Sequence, residues 1–109
     1  MVVKRLIEER KKREEIFRNL EFHLRELKRI AENYFGNCRF FLFGSVARGD
    51  YDLMLSDIDI AIVTDCNDRE RILKFKAEIS RRWYFFELHV LDERKWEFYK
   101  KFIDVYKEF

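Results

Sequence analysis

Apolar residues in the first third of the chain recur at intervals of three and four: Ile16, Leu20, Leu24, Leu27, Ala31 and Tyr34. That spacing sets them on one stripe of a helix, with charged residues of both signs filling the other positions. The pattern predicts a single helix over residues 4–35, roughly 45–50 Å long at ~1.5 Å per residue. Gly36-Asn37 supplies the C-cap chemistry to close it. The first half, KRLIEERKKREE, has a thinner stripe of Leu6 and Ile7 and is expected to project from the body or pack on a partner. The period then becomes strand-like. Residues 38–43 predict a first strand that ends at Gly44-Ser45; Val46-Ala47-Arg48 forms a helical turn, and Gly49-Asp50 breaks it. Residues 57–63, DIDIAIV, alternate acid and aliphatic before turning apolar on both faces, as a central strand does. Asn67, with Glu70 three residues on, has capping-box spacing for a helix over residues 68–82 with Ile72, Phe75 and Ile79 inward. Residues 83–91 predict a third strand, with Phe86, Leu88 and Val90 on one face and Glu87, His89 and Leu91 on the other. Asp92 is expected to cap a last helix reaching about Lys107.

The resulting order, α-β-(turn of α)-β-α-β-α, describes an α/β (α+β) fold: a small mixed β-sheet of three or more strands flanked by helices. No repeat, linker or low-complexity stretch interrupts it. Residues 1–109 are therefore expected to form one domain, with a long N-terminal helix over 1–35, a core over 38–91 and a C-terminal helix over 92–109. Composition fits a packed core, since 48% of residues are apolar and 17% aromatic. Charged residues make up 40% of the chain, yet the net charge is only +2, so net charge gives no general attraction to nucleic acid or membranes. Cys38 and Cys66 lack CxxC spacing and are expected to be reduced. No apolar run has the length of a signal peptide or of a ~20-residue membrane span, which points to the cytoplasm. The predicted last helix holds more apolar residues than one stripe can bury, Trp96, Phe98, Tyr99, Phe102 and Tyr106 among them. That surplus predicts an interface with a second copy or a partner.

The chemistry concentrates at three places. Asp57 and Asp59 stand at i and i+2 of a strand, so both carboxylates project from one face while Ile58 and Ile60 enter the core. A solvated strand end would tolerate such a pair; a divalent cation would offset its repulsion, and hard oxygen donors favour Mg²⁺. Glu87 is a lone charge inside YFFEL, costly to bury without a partner. If the second and third strands are neighbours, it faces the two aspartates, and three convergent carboxylates suit phosphoryl transfer. Gly44-Ser45 at a strand-to-helix turn offers close backbone approach, free N–H groups and a hydroxyl donor to a phosphate, and Arg48 adds a positive charge.

Together, GSVARG at residues 44–49 and SDID at residues 56–59 resemble the signature of the DNA polymerase beta-type nucleotidyltransferase superfamily. The short chain is similar to its minimal nucleotidyltransferases. The motifs cover residues 44–59, and the strand order with Glu87 as third acid extends the likeness over about 38–91. The resemblance implies a nucleotidyltransferase fold and Mg²⁺-dependent transfer of a nucleoside monophosphate, AMP from ATP, with release of pyrophosphate. It implies that Gly44 and Ser45 hold the triphosphate with Arg48 beside them. Asp57, Asp59 and Glu87 would ligate the metal and serve catalysis, with Glu87 helping to deprotonate an acceptor hydroxyl. It further implies a HEPN-type partner encoded nearby, modified on a tyrosine, with this chain as the antitoxin. Two departures stand out. Eleven residues separate Ser45 from Asp57, one more than is typical, and the third acid is Glu where Asp is commoner.

Two other functions fit the same residues. A non-catalytic antitoxin would neutralise its partner by binding alone, and a free-standing transferase would act on RNA ends or a small molecule. His89 shares a face with Glu87 and is able to approach substrate or orient an acid, although a hydrogen-bonded interior or rim histidine is the plainer expectation. His23, among charges on the long helix, is expected to be structural. The basic residues Arg69, Arg71, Lys74, Lys76, Arg81 and Arg82 are expected to form a solvated helix face.

Overall fold

The computed structural model describes residues 2–109. Its elements are α1 (Val2–Arg18), α2 (Leu20–Phe35), β1 (Arg39–Phe43), α3 (Gly44–Arg48), β2 (Ile58–Val63), α4 (Arg69–Arg82), β3 (Phe86–Leu91), α5 (Glu93–Lys100) and β4 (Tyr106–Glu108). The strands form one mixed sheet in the order β3-β2-β1-β4. β2 and β3 run parallel, with α4 as the crossover that a parallel pair requires, and the other pairings are antiparallel.

Strand alternation divides the sheet into two unequal faces. Phe40, Leu42, Ile58, Ile60 and Ile62 join Ile16, Leu27, Phe75 and Ile79 from α1, α2 and α4 in the main core. On the opposite face Phe41, Ala61, Val63 and Leu91 pack with Trp96 of the short α5, flanked by the partly buried Phe43, Tyr99 and Ile103. No helix among the described residues is long and apolar enough to cross a membrane.

Four boundaries differ from the sequence expectation, each for a local physical reason. The long helix is two helices. Asn19, at φ −113° and ψ 35°, interrupts it, and its side-chain Nδ2 donates to the Glu15 carbonyl oxygen at 3.2 Å. A short amide side chain that bonds its own backbone in this way competes with the helical ladder. The cap of α4 is Asp68, whose carboxylate accepts from the Arg71 N–H at 3.2 Å, so Asn67 and Glu70 form no capping box. β3 starts at Phe86, because the buried Trp83 closes α4 instead of opening the strand. Finally, α5 stops at Lys100, and residues 106–108 pair with the free edge of β1. Pairing satisfies backbone groups that an open edge leaves to water. The Phe109 N–H also donates to the Phe40 carbonyl at 2.9 Å, with the two rings 5.7 Å apart. Of the apolar surplus expected on one helix, Tyr106 belongs to this strand, Trp96 of α5 is buried, and Phe98 and Phe102 stay exposed.

The N-terminal arm is anchored more firmly than its thin stripe implied. Arg13 is only 6% exposed. Its Nη1 donates to the carbonyls of Leu53 and Ser56 at 3.2 and 3.0 Å, and its guanidinium lies 4.5 Å from the Phe85 ring centre. Phe17 stacks on Tyr51 at 4.5 Å. α1 thus grips the loop that ends at Asp57. Within that loop Asp52 accepts from the N–H groups of Met54 and Leu55, and the Ser56 hydroxyl accepts from the Asp52 N–H. Only the far end of α1 leaves Val2, Val3, Leu6 and Ile7 exposed.

Replacing Arg13 with Met should lower stability by about 1–3 kcal/mol, because two carbonyls lose their donor. Urea unfolding should show this loss, whereas Arg10→Met, which breaks an exposed pair, should cost less than about 1 kcal/mol.

Candidate active site

The parallel register of β2 and β3 sets Asp59 directly beside Glu87. Both side chains leave the sheet on the face that α5 covers incompletely, so neither enters the main core. Across the antiparallel pair, Phe43 lies opposite Asp59. The chain therefore turns at Gly44, φ +76°, over the Asp59 carboxylate. A Cβ built on Gly44 would run into Asp59 Oδ2 and would lie 3.1 Å from Asp59 Cγ. Only a residue without a side chain brings the backbone this close to the acid. α3 follows, and Gly49 closes it in a left-handed conformation, donating its N–H to the Ser45 and Val46 carbonyls.

The protonated Glu87 carboxyl is held above its ordinary range, first by a hydrogen bond to Asp59, then by partial burial and by the charge of Asp59. Asp57 raises it further through its charge, while His89 acts in the opposite direction. Asp57 itself lies exposed one residue before β2. The tightest convergence is formed by Asp59, Glu87 and His89, whose ligating atoms all lie within 4.8 Å of one another. His89 Nε2 stands 3.8 Å from Asp59 Oδ1 and 3.8 Å from Glu87 Oε1. That nitrogen is buried without a hydrogen-bond partner, so His89 is not the satisfied rim histidine expected from sequence. His23, by contrast, is fully occupied: its Nδ1 accepts from Trp83 Nε1 at 3.0 Å, and its Nε2 meets Glu15 at 3.1 Å.

Arg48 ends α3, exposed, in an ion pair with Asp50 at 3.1 Å. Ser45 is partly buried at the start of the same turn. The residues present fit a divalent cation: two carboxylates stand side by side and repel, and an orphaned nitrogen faces both. Asp59 and Glu87 would face such a cation side by side, with Asp57 one residue before β2 adding negative charge and the His89 nitrogen turned toward both.

Two predictions follow from this geometry. Gly36 and Gly44 have nearly equal positive φ angles, yet a Cβ at Gly36 meets nothing within 4 Å. Gly36→Ala should cost about 1–3 kcal/mol of stability from backbone strain alone, and Gly44→Ala should cost more because Asp59 must also move; paired thermal unfolding measures the difference. A carboxyl whose pKa rises on folding favours the fold while protonated, and loses that contribution as pH climbs through its raised value. Metal-free protein should therefore lose stability relative to Glu87→Gln from the ordinary glutamate value of 4.5 upward. The effect should stay below about 1 kcal/mol, since the Glu87 side chain is 54% exposed; melting scans in chelator across pH would show it.

Residues 24–107 match the family model of the nucleotidyltransferase domain. A solved crystal structure, provisionally described as a nucleotidyltransferase, shares 39% sequence identity with this chain at a TM-score of 0.67. The likeness covers 80% of this chain and 97% of that one. No curated protein matches the sequence. α1 precedes the matched residues. With a Gly-Ser turn seated on a strand acid, and a family match running from α2 into β4, the chain belongs to the nucleotidyltransferase domain family and is a transferase with a nucleoside triphosphate substrate.

Proposed function

We propose that this chain transfers AMP from ATP to an acceptor hydroxyl, a tyrosine of a HEPN-type partner, and so acts as the partner's antitoxin in the cytoplasm. The observation that carries the catalytic reading is the contact between the Gly44 backbone and the Asp59 carboxylate, with Glu87 beside it on the parallel strand. A phosphate gripped at Gly44-Ser45 is thereby next to the acids without any hinge motion.

In this reading Asp57, Asp59 and Glu87 would hold the divalent cation, Mg²⁺. When bound, the cation offsets charge on the triphosphate. Gly44 and Ser45 present backbone and hydroxyl donors to the phosphates. Arg48 can exchange Asp50 for a phosphate at little cost, because their ion pair is exposed. Glu87, beside Asp59 on the parallel strand, is placed to receive the acceptor's proton. The acceptor oxygen forms a bond to the α-phosphorus as the bond to the bridging oxygen breaks, and pyrophosphate leaves.

Recognition of a protein partner is supported by exposed apolar residues on the element bordering the site. Tyr99 of α5 lies 5.7 Å from the His89 ring, while Phe98 and Phe102 face solvent. The same surface would serve a second copy in a homo-oligomer.

Incubation with α-labelled ATP, Mg²⁺ and the neighbouring gene's product should label that product on tyrosine. Asp57→Asn and Asp59→Asn should each reduce labelling at least ~100-fold while circular dichroism stays unchanged. Neutralisation of the partner that survives both substitutions would favour the binding-only antitoxin instead.

A further inference from the structure

We infer that His89 is a metal ligand of this site, giving it a mixed nitrogen and oxygen donor set that prefers Mn²⁺, Co²⁺ or Ni²⁺ to Mg²⁺. The inference rests on the proposed reading of Asp59 and Glu87 as metal ligands, and it adds the class of metal they select.

The placement of His89 follows from strand alternation. Two residues beyond Glu87 on β3, it points to the same face, opposite Ala61 of β2. Ala61 has no side chain long enough to fill the space between the histidine and Asp59. The imidazole is held from two sides, its ring 5.2 Å from Phe43 and 5.7 Å from Tyr99. Aromatic contacts of this kind orient a ring without using its nitrogens.

Nε2 then faces Asp59 Oδ1 and Glu87 Oε1, 3.8 Å from each. That is too long for a hydrogen bond, but it is comparable to the roughly 3–4 Å between neighbouring donors around one cation. A buried nitrogen with no partner is costly, and this fold satisfies its other histidine completely through Trp83 and Glu15. The orphaned nitrogen is thus specific to the site. Elsewhere in the described residues the only other buried unpartnered side-chain atom is Trp96 Nε1, a donor that cannot ligate a metal.

Imidazole shifts preference among divalent ions. Mg²⁺ takes oxygen donors and keeps several waters. First-row transition ions accept nitrogen readily, with affinity rising from Mn²⁺ through Co²⁺ to Ni²⁺. Mg²⁺ would use the carboxylates and gain little from His89, whereas a transition ion would engage all three side chains.

The test uses the untagged full chain, stripped with chelator, and the metal alone as probe. Electron spin echo modulation of bound Mn²⁺ should show coupling to a ¹⁴N nucleus. Calorimetry should give Co²⁺ at least tenfold tighter binding than Mg²⁺. His89→Ala and His89→Gln should abolish the nitrogen coupling and weaken Co²⁺ at least tenfold, while changing Mg²⁺ affinity less than about threefold. Bound Mn²⁺ without nitrogen coupling in the unsubstituted protein would overturn the inference, and that measurement needs no variant to fold. Asp59→Asn separates the two readings. If it abolishes Mn²⁺ binding while His89→Ala leaves Co²⁺ affinity intact, the carboxylate site stands and the histidine ligand fails. If Mn²⁺ binding survives Asp59→Asn, the proposed catalytic site itself fails.

Discussion

Two carboxyl groups held side by side on neighbouring parallel strands are the constraint around which this molecule is arranged. The β2–β3 register puts Asp59 beside Glu87, and the nearness of Asp59 holds the Glu87 carboxyl above its ordinary range. Such a pair is tolerated only where the face of the sheet stays open to water, ions or substrate. The helical layer follows that requirement. α1, α2 and α4 bury one face, while the other receives only α5, set toward Phe41, Ala61, Val63 and Leu91. The acids lie at the end of the sheet that α5 leaves uncovered.

Around this pair the backbone is fixed from both directions along the chain. Upstream, Gly44 lies against Asp59 so closely that no side chain fits. Immediately before β2, the loop carrying Asp57 is clamped by Arg13 through the carbonyls of Leu53 and Ser56. Within that loop Asp52 and Ser56 close a turn. α1 lies outside the residues matched to the family, yet it supports a residue inside the motif. The arm is therefore part of the scaffold of the site over Arg13 to Phe17, and free surface only toward its start.

The two histidines show how one residue type divides between structure and chemistry. His23 has a hydrogen-bond partner on each ring nitrogen and joins α1, α2 and Trp83. His89 is held by ring packing alone, and its Nε2 is left facing two acids. Sequence placed His89 on the face of Glu87 and His23 among the charges of a helix, but it gave neither ring's hydrogen-bond partners. Hydrogen-bond occupancy separates them at once.

Local pattern was enough to establish much of this protein. Period-two alternation put Ile58 and Ile60 in the core with Asp59 on the other face, and it grouped Glu87 with His89 and Leu91; Asp57, expected on the same strand, lies one residue before it. Gly44-Ser45 at the end of an apolar run marked the turn. These features depend on neighbours one to four residues away, which sequence records directly. Other features depended on contacts between distant segments. The strand at residues 106–108 exists because β1 offered a free edge, and three residues are too few to show a period of their own. Arg13 looked like one more charge on a solvated helix until the fold brought Phe85, Leu53 and Ser56 around it. The distance from His89 to the two acids required the parallel pairing of β2 and β3, which only the packed α4 crossover enforces. Sequence by itself determined which side chains could carry the chemistry. Tertiary structure decided which of them meet, because strand register and edge pairing are set by the burial of faces that no local window contains.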